Sequence, residues 1–396
     1  MDTRDGTGRA YDVVLFGATG FVGELTARYL AAHAPDTCRW ALAGRSREKL
    51  EALRDRLAAE HPRCADLPLV TADASDAGSL RELAASARVV ATTVGPYVWY
   101  GEPLVAACAE TGTDYVDLTG EPEFVDLMYV RHDARARETG ARIVHACGFD
   151  SVPHDLGVYF TVAQLPEGVP LTVDGFVRSN AFFSGGTFAS ALTAMGRGPQ
   201  MLRAARERRL HEPRLMGRRA RAPLGAPRFS RETGAWALPL PTLDAGVVAR
   251  SAAALPRYGP DFRYRHYAAV RTLPMAVGGA AAVGALVALA QVPPARRWLM
   301  DRYEAGQGPD EARRARSWFT VRFVGEGGGR RVFTEVSGGD PGYDETAKML
   351  AESALSLAFD ATPPTAGQVT TAVAMGDALL ERLGRAGIRF RVADAR

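Results

Sequence analysis

The stretch VVLFGATGFVGELTARYL, residues 13–30, contains the pattern that decides the fold of the first part of the chain. A run of apolar residues is interrupted by Gly17, Gly20 and Gly23, and the apolar spacing typical of a helix follows. A strand, a tight glycine turn and a helix in this order are typical of a dinucleotide-binding unit. The spacing departs from the common G-x-G-x-x-G pattern, because Ala18 stands where the first glycine of that pattern would fall.

Each glycine of this turn has a distinct predicted role. Gly17 ends the strand in a tight turn, Gly20 lets the backbone approach a pyrophosphate, and Gly23 lets the helix pack closely on the strand. The free N–H groups and the positive end of the helix dipole would then hold the phosphates. A glycine turn without a ligand is the alternative. The predicted cofactor-binding residues of the turn are Gly17, Ala18, Thr19, Gly20, Phe21, Val22 and Gly23.

The residues after the second predicted strand bear on the choice between NAD and NADP. An NAD site usually has an acidic residue there, but this strand ends in AGRSREK, where Arg45 and Ser46 take that place. A guanidinium group pairs with a 2′-phosphate, so we expect the cofactor to be NADP(H). Arg47 and Lys49 could contribute, or could be ordinary solvated charges. Asp73 follows the third strand and could contact the adenine or cap a turn.

Length and composition indicate a globular protein with more than one domain. The chain has 396 residues, of which 47% are hydrophobic and 23% charged, and its net charge is only +3. Its four cysteines lie in the first 150 residues without metal-like spacing, which favours free thiols in a reducing compartment. We therefore expect no metal site. The polar N-terminus has no signal-like apolar region, so we expect a cytoplasmic protein, with membrane association as an alternative.

The first 150 residues alternate short apolar runs with helical segments such as 47–60. The apolar runs predict strands at 12–17, 39–44, 68–72, 88–93, 114–118 and 142–146. Strands separated by helices of this length form a parallel sheet with right-handed crossovers. The predicted fold class is therefore α/β, with a doubly wound parallel-sheet (Rossmann) domain.

The pattern changes after residue 157. A strand at 171–179 and a hairpin at 317–337 predict a second, smaller α+β domain, and helices are expected at 343–359 and 373–384. The predicted domains are a cofactor domain at 1–155, a substrate domain at 156–340 and C-terminal helices at 341–396.

Four further stretches resemble a known family. They are 92–121, 145–157, 184–190 and 372–390, and together with GATGFVG and AGRS they resemble the saccharopine dehydrogenase-like oxidoreductases, most closely the trans-acting enoyl reductases that work beside polyketide synthases. The resemblance implies that the C-terminal helices pack back on the first domain. It also implies that the loop after the fourth strand runs past the nicotinamide, which adds Thr93, Gly95 and Pro96 to the cofactor-binding residues.

The implied reaction is the NADPH-dependent reduction of an activated double bond in an acyl or polyketide chain. Such a reaction needs a donor for the enolate oxygen and a proton for Cα, besides the hydride from the cofactor. Tyr97, Tyr100 and His154 are the candidate catalytic residues, although buried structural roles are the alternative for each. The candidate substrate-binding residues are Asp150, Ser151 and the SGGT turn: Ser184, Gly185, Gly186 and Thr187.

Two other functions stay open at this point. One is imine (C=N) reduction of an amino-acid substrate, as in saccharopine reductases, and the other is a non-catalytic NADP-binding protein associated with lipid. The apolar run at 273–292 and the arginine-rich stretch favour enoyl reduction, because a small zwitterion needs neither.

Two segments of the second half suggest partners. Residues 197–231 contain eleven arginines and two glutamates, which could dock an acidic acyl carrier protein or phospholipid headgroups, or could be a solvated face. Nucleic acid is the least expected partner, because no aromatic residues alternate with these arginines. The uncharged run at 273–292 predicts first a buried helix or subunit contact, then peripheral membrane contact, then a membrane span. The oligomeric state is not predicted.

Overall fold

Two β-sheets with helices packed around them make up the protein. The computed structural model describes residues 8–181, 192–193, 195–213, 215–292, 294–295, 298 and 309–394. The first sheet has seven parallel strands and the second has eight strands of mixed direction. The fold class predicted from the sequence is confirmed.

The first sheet contains all six strands predicted in the first 150 residues, with each end within two residues of the prediction. Its strands are β1 (Tyr11–Phe16), β2 (Trp40–Gly44), β3 (Leu69–Thr71), β4 (Ala87–Thr92), β5 (Asp114–Asp117), β6 (Arg142–Val144) and β14 (Gly367–Val369). Their spatial order is β14-β6-β5-β4-β1-β2-β3, so the direction of winding reverses between β1 and β4. Ligands of doubly wound sheets bind at such a reversal, outside the carboxyl ends of the strands.

The second sheet has one strand more than the first, so it is not smaller in this respect. Its strands are β7 (Leu171–Ser179), β8 (Arg219–Arg221), β9 (Arg228–Ser230), β10 (Ala235–Pro239), β11 (Asp261–Val270), β12 (Phe319–Gly327), β13 (Arg330–Gly338) and β15 (Arg389–Ala393). Their order is β15-β13-β12-β7-β11-β10-β9, and β8 pairs with β11. The predicted hairpin is β12–β13. The strands β7 and β11 are parallel, which the expected antiparallel arrangement did not include.

Helices cover the first sheet and connect it to the second. They are α1 (Phe21–His33), α2 (Arg47–Glu60), α3 (Ala77–Ser86), α4 (Tyr97–Tyr100), α5 (Glu102–Thr111), α6 (Pro122–Thr139), α7 (Val152–Ala163), α8 (Gly198–His211), α9 (Leu243–Ala254), α10 (Leu273–Ala290), α11 (Glu311–Arg314), α12 (Asp344–Phe359), α13 (Thr371–Ala374) and α14 (Gly376–Arg385). Short 3₁₀ turns lie at Pro62–Cys64 and Pro256–Tyr258.

Alternate residues of β1 enter two separate hydrophobic cores. Val13 and Leu15 belong to the larger core, which also contains Leu350 of α12, whereas Val14 and Phe16 pack in the core on the other face of the sheet. A parallel sheet is buried on both faces, which explains why its strands are apolar at successive positions.

The C-terminal segment joins both sheets. Helix α12 packs on α1 and on strands of the first sheet, as the resemblance implied. In addition, β14 pairs with β6 in the first sheet and β15 pairs with β13 in the second. These two strands were not predicted, and they make the last segment part of both domains. Buried Arg142 reinforces the junction by donating hydrogen bonds to the carbonyl oxygen of Leu357 and to the hydroxyl of Thr362.

The uncharged run at 273–292 is not buried, so the first prediction for it is wrong as regards the core of this chain. It forms α10, of which only Ala276 and Ala290 are buried. Its large side chains project into solvent; Met275 and Val277 are each 60% exposed. Within the described residues, α10 is the one helix that is long and apolar enough to cross a membrane by length and composition.

Candidate active site

The glycine turn after β1 has the geometry that a dinucleotide requires. Gly17 has a φ of +85°, and a Cβ atom there would lie 2.8 Å from the Thr93 hydroxyl, so only glycine fits. A Cβ atom on Gly23 would lie 2.1 Å from the carbonyl oxygen of Gly17, which shows how closely α1 approaches the turn. Gly20 immediately precedes α1 and has no side chain to cap the helix, so the first N–H groups of α1 can serve a phosphate.

The other residues of the turn are placed consistently with this role. Ala18 is buried, Thr19 is exposed, and Val22 lies in the first turn of α1. Phe21 packs edge-on against Tyr343 at a ring distance of 5.0 Å. This contact connects the glycine turn to the residue that immediately precedes α12.

Arg45 follows β2 at the carboxyl edge of the sheet and is exposed. It forms no ion pair or hydrogen bond with another described residue, whereas the nearby Arg47 pairs with Glu51 at 3.0 Å. Ser46 caps α2 by accepting a hydrogen bond from the N–H of Lys49. The guanidinium of Arg45 is therefore available to a ligand.

Asp73 lies close to Arg45 and closes a turn. Its carboxylate accepts hydrogen bonds from the N–H and the hydroxyl of Ser75 at 2.8 and 2.7 Å. These hydrogen bonds lower the pKa of Asp73, and the charge of Arg45 lowers it further. The turn-capping alternative is present in this structure. The adenine contact stays a prediction.

The loop after β4 is fixed by Tyr97 and Glu121. Thr93 donates a hydrogen bond to the carbonyl oxygen of Gly17 at 3.0 Å, which ties this loop to the glycine turn. Gly95 and Pro96 then lead into α4, where Glu121 accepts hydrogen bonds from the N–H of Tyr97 and of the residue after it. The predicted nicotinamide loop therefore lies beside the predicted phosphate turn.

Tyr97 itself has no free hydroxyl proton in this structure. The side chain is buried, its hydroxyl donates to the carbonyl oxygen of Thr92 at 3.1 Å, and it accepts from the N–H of Leu118 at 3.1 Å. A phenol has one proton to donate. In this structure Tyr97 therefore connects the loops after β4 and β5, which is the structural alternative, and its catalytic role stays a prediction.

The other two candidate catalytic residues lie at different depths. Tyr100 is on α4 and is 50% exposed, at the surface of the protein. His154 is in the first turn of α7 and is almost completely buried, with Phe149 packed edge-on against its ring at 5.4 Å. Burial lowers the pKa of His154, so its imidazole is neutral at neutral pH.

His154 belongs to a buried polar cluster with Asp244 and His266, which we call the histidine cluster. The Nε2 atoms of the two histidines each lie 3.7 Å from a carboxylate oxygen of Asp244. Burial opposes ionisation of Asp244, but His154 and then His266 lower its pKa below the ordinary value. Burial, and then the neighbouring His154, lower the pKa of His266 to about 3.

The histidine cluster could also hold a metal ion. One ligand atom from each residue lies within 4.8 Å of the others, and two neutral imidazoles with one carboxylate are a usual donor set for divalent metals. No metal site was predicted, because the sequence contains no short Cys/His spacing of the kind that binds metals. These residues come from α7, α9 and β11, and no local pattern would have joined them.

Asp150 and Ser151 lie at the end of the loop after β6, and Asp150 is close to the loop after β5. The carboxylate of Asp150 is 3.6 Å from the position of a Cβ atom on Gly120, and it makes no hydrogen bond to another described residue. Burial, and then the charge of Asp244, raise the pKa of Asp150 to about 7. Ser151 is fully buried, and a hydrogen bond from its side chain is among the interactions that lower the pKa of Asp244. Asp150 was predicted only as a substrate-binding residue, and nothing in the sequence indicated that its carboxyl group would have a pKa near neutrality.

The remaining predicted substrate-binding residues are Ser184, Gly185, Gly186 and Thr187, which lie outside the described residues.

Phe149 lies beside the candidate site, although the sequence did not predict a role for it. It is partly buried, and its ring packs edge-on against Phe319 of β12 at 5.0 Å. Its N–H donates to the hydroxyl of Thr346 on α12 at 3.1 Å. The loop after β6, strand β12 and helix α12 thus meet at Phe149, the residue before Asp150.

Comparison with known proteins agrees with this geometry. Residues 13–144 match the family described as the saccharopine dehydrogenase NADP binding domain, so an NADP-binding domain is present. A trans-acting enoyl reductase from Mycobacterium leprae is 38% identical over 417 aligned positions, which cover 96% of this chain and 97% of that protein. A trans-acting enoyl reductase from Mycobacterium tuberculosis (strain H37Rv) is 39% identical with the same coverage. The chain belongs to the trans-acting enoyl reductase family.

The resemblance stated from the sequence is therefore confirmed. A second protein from Mycobacterium tuberculosis (strain H37Rv), named as a trans-acting enoyl reductase, is 41% identical to this chain. The alignment covers 97% of this chain and 98% of that protein. Among solved structures, apo saccharopine dehydrogenase (L-Glu forming) from Saccharomyces cerevisiae matches with a TM-score of 0.55 and 13% identity, covering 97% of this chain and 100% of that one. At this identity the match shows the shared fold alone.

The raised pKa of Asp150 predicts a specific pH dependence of stability. The folded protein keeps a proton on Asp150 up to about pH 7, whereas the unfolded chain releases it near the ordinary value of 3.8. Stability from this group is therefore present at low pH and is lost as the pH rises toward 7. We expect Asp150→Asn to gain free energy of unfolding relative to wild type as the pH rises from about 4 to about 7, with a constant difference at higher pH.

Urea unfolding of both proteins across this pH range is the measurement. Asp66→Asn, at an exposed position, is the matched control and should leave the pH profile of wild type unchanged. An Asp150→Asn profile parallel to that of wild type would contradict the assignment of a raised pKa.

Proposed function

We propose that the protein is an NADPH-dependent reductase of an α,β-unsaturated acyl chain that is bound to a carrier protein. The observation that carries this proposal is the relation to trans-acting enoyl reductases at 38–39% identity over almost the full length of both proteins. The glycine turn, Arg45 and the strand-end loops support it, because their geometry suits a dinucleotide, and the titratable carboxyl group of Asp150 follows a strand of the same sheet.

The choice of NADPH over NADH rests on Arg45. Its guanidinium is exposed at the carboxyl end of β2 and has no ion pair with a described residue. A free guanidinium pairs well with a 2′-phosphate and gains little from a 2′-hydroxyl. The pyrophosphate would lie against the N-terminus of α1, next to Gly17 and Gly20.

Asp150 is the residue that we propose to supply the proton. Bound NADPH would provide the hydride for Cβ of the enoyl group, and the reaction then needs a proton at Cα. A carboxyl group with a pKa of about 7 is still protonated in a large fraction of molecules at neutral pH, which suits a general acid. Asp150 has no competing hydrogen bond to a described residue. The Tyr97 hydroxyl donates its hydrogen bond to the carbonyl oxygen of Thr92. His154 is neutral and buried, and Phe149 packs against its ring.

The histidine cluster would position Asp150 from beneath. His154 lies 3.7 Å from Asp244, and the negative charge of Asp244 helps to keep Asp150 protonated. Phe149 supplies an apolar wall beside the carboxyl group, against which an acyl chain could lie. Tyr100 keeps its predicted role as a candidate catalytic donor, and Ser184, Gly185, Gly186 and Thr187 keep their predicted role as substrate contacts.

The proposed partner is an acidic carrier protein docked on α8. Several arginines of the 197–231 stretch are engaged within this protein; for example, Arg197 pairs with Glu123 and Arg228 with Asp174. By contrast, α8 exposes Arg203, Arg206 and Arg209, and none of these forms an ion pair with another described residue. A row of unpaired positive charges on one helix is complementary to an acidic protein surface.

Arg45→Ala tests the cofactor assignment. Removing a charge-assisted contact to the 2′-phosphate should weaken NADPH binding by roughly 10- to 100-fold and change NADH binding by less than about twofold. Fluorescence titration with both cofactors measures the two dissociation constants. Arg47→Ala is the matched control, since Arg47 is paired with Glu51 on the exposed side of α2, and it should change neither constant. Equal losses for NADPH and NADH would show that Arg45 does not bind the 2′-phosphate.

The substrate class is tested by following NADPH oxidation with alternative acceptors. We expect turnover of an enoyl thioester, with a lower KM when the enoyl chain is on an acyl carrier protein than when it is on a small thiol. Lysine with glutaric semialdehyde tests imine reduction, the alternative that the sequence left open. Turnover of the imine alone would replace the proposal, and tight NADPH binding with turnover of neither would favour the non-catalytic alternative.

Asp150→Asn tests the proposed proton donor. Loss of a general acid should lower kcat by roughly 10²- to 10⁴-fold, with NADPH binding unchanged. In wild type, kcat should fall as the pH rises above about 7, because the donor must be protonated, and Asp150→Asn should lose this dependence. Kinetics at saturating NADPH across pH measure both effects. Unchanged kcat and an unchanged pH profile in the variant would rule out this role for Asp150.

A further inference from the structure

Helix α10 is an apolar element that the described residues of the chain leave uncovered. It contains no charged residue over Leu273–Ala290, and only Ala276 and Ala290 are buried. Met275, Val277 and Val283 are 55–60% exposed. A helix that is apolar on all sides is usually buried in protein or in lipid. The described part of this chain does not bury it.

The helix is attached to the protein mainly at its two ends. At the beginning, Thr272 caps it by accepting a hydrogen bond from the N–H of Met275. At the other end, the Gln291 side chain donates to the carbonyl oxygen of Met195 at 2.7 Å. Between these anchors the helix presents a continuous apolar surface about 27 Å long, at 1.5 Å per residue.

A basic cavity lies at the beginning of the same helix. It has a volume of about 540 Å³ and is lined by Arg178, Arg231 and Arg271, together with Thr233 and Thr272. No carboxylate is among its described lining residues, and none of the three arginines forms an ion pair with another described residue. Unpaired guanidinium groups gathered around one cavity favour a ligand with a phosphate group.

The two features adjoin each other, because Arg271 and Thr272 line the cavity and Leu273 begins the helix. Apolar side chains next to unpaired positive charge match the two layers of a membrane surface, the acyl region and the anionic headgroups. A buried subunit contact would cover the helix equally well, but it would leave three arginines without an anionic partner.

We propose that α10 and the basic cavity form a docking site for an anionic phospholipid membrane. The exposed side chains of α10 enter the acyl region, and Arg178, Arg231 and Arg271 bind lipid phosphates. Docking is peripheral, because ten of the eighteen residues of α10 are alanine or glycine and contribute little insertion energy. This site is separate from the proposed reductase site, so either can fail without the other.

Vesicle flotation tests the proposal with the full-length protein. Wild type should float with vesicles of phosphatidylcholine and phosphatidylglycerol, and far less with phosphatidylcholine alone. The triple variant Arg178→Gln, Arg231→Gln, Arg271→Gln should partition onto the anionic vesicles about 10- to 100-fold more weakly. The double variant Val283→Glu, Leu289→Glu should lose flotation with both vesicles, since it places charges in the acyl region.

Matched variants separate these effects from general changes in charge. Arg56→Gln, Arg81→Gln, Arg135→Gln removes three charges from exposed positions of the first domain and should float like wild type. Retained NADPH binding in every variant shows that the fold is intact. Flotation that is insensitive to the headgroup charge would overturn the role of the arginines. Absence of flotation, with a dimer that the Val283→Glu, Leu289→Glu variant dissociates, would overturn the proposal in favour of a subunit contact.

Discussion

Asp155 lies in the first turn of α7 with no exposure to solvent, and a carboxylate in that position must be hydrogen-bonded. It accepts hydrogen bonds from the hydroxyl of Ser251 at 2.5 Å, and from the hydroxyl of Thr371 and the N–H of Ala372, both at 2.8 Å. These donors come from α9 and from α13 in the C-terminal segment. A single charge therefore fixes three segments that are far apart in sequence. Removal of any donor would leave part of a buried carboxylate unsatisfied, which costs about 1–3 kcal/mol.

The position of α7 relative to α9 determines the candidate site. Asp155 contacts the end of α9 through Ser251, and His154 contacts its beginning through Asp244. The two helices are thus held at two points, and the turn that precedes α7 contains Asp150. The charge of Asp244, which these contacts hold against α7, is one of the two causes of the raised pKa of Asp150. The hydrogen bonds of Asp155 therefore help to hold α9, and α9 contains the aspartate whose charge raises the pKa of Asp150.

The carboxyl edge of the first sheet contains aspartates with opposite roles. Asp117 is fully buried and accepts hydrogen bonds from the Tyr115 hydroxyl, the His145 ring and two backbone N–H groups. The Asp117 carboxylate therefore connects the loops after β5 and β6. Asp150, in the loop after β6, forms no hydrogen bond to a described residue. The difference in partners, rather than the residue type, separates the structural aspartate from the candidate acid.

Sequence patterns predicted the first domain well because its information is local. The apolar runs gave all six early strands, and GATGFVG placed the phosphate turn, since each depends on residues that are adjacent in the chain. The histidine cluster was not predictable in this way, because His154, Asp244 and His266 become neighbours only when α7 packs on α9 and β11. The hydrogen bonds of Tyr97 were not predictable for a similar reason, because its partners are backbone groups of β4 and of the loop after β5. The run at 273–292 was ambiguous, since burial in protein and exposure to lipid select the same residues.

The second sheet connects the candidate active site with the uncovered helix. In the pairing of β7 with β12, Phe319 lies opposite Ser179 and Thr320 lies opposite Arg178. Side chains of successive strand residues point to opposite faces of a sheet. Phe319 therefore packs on Phe149 from one face, whereas Arg178 lines the basic cavity from the other, at the same end of the sheet. Strand β11 runs parallel to β7 and delivers α10 to this end. A protein docked through α10 would consequently hold this end of the second sheet, and with it Phe149, towards the membrane, which would suit the long acyl chain proposed as the substrate.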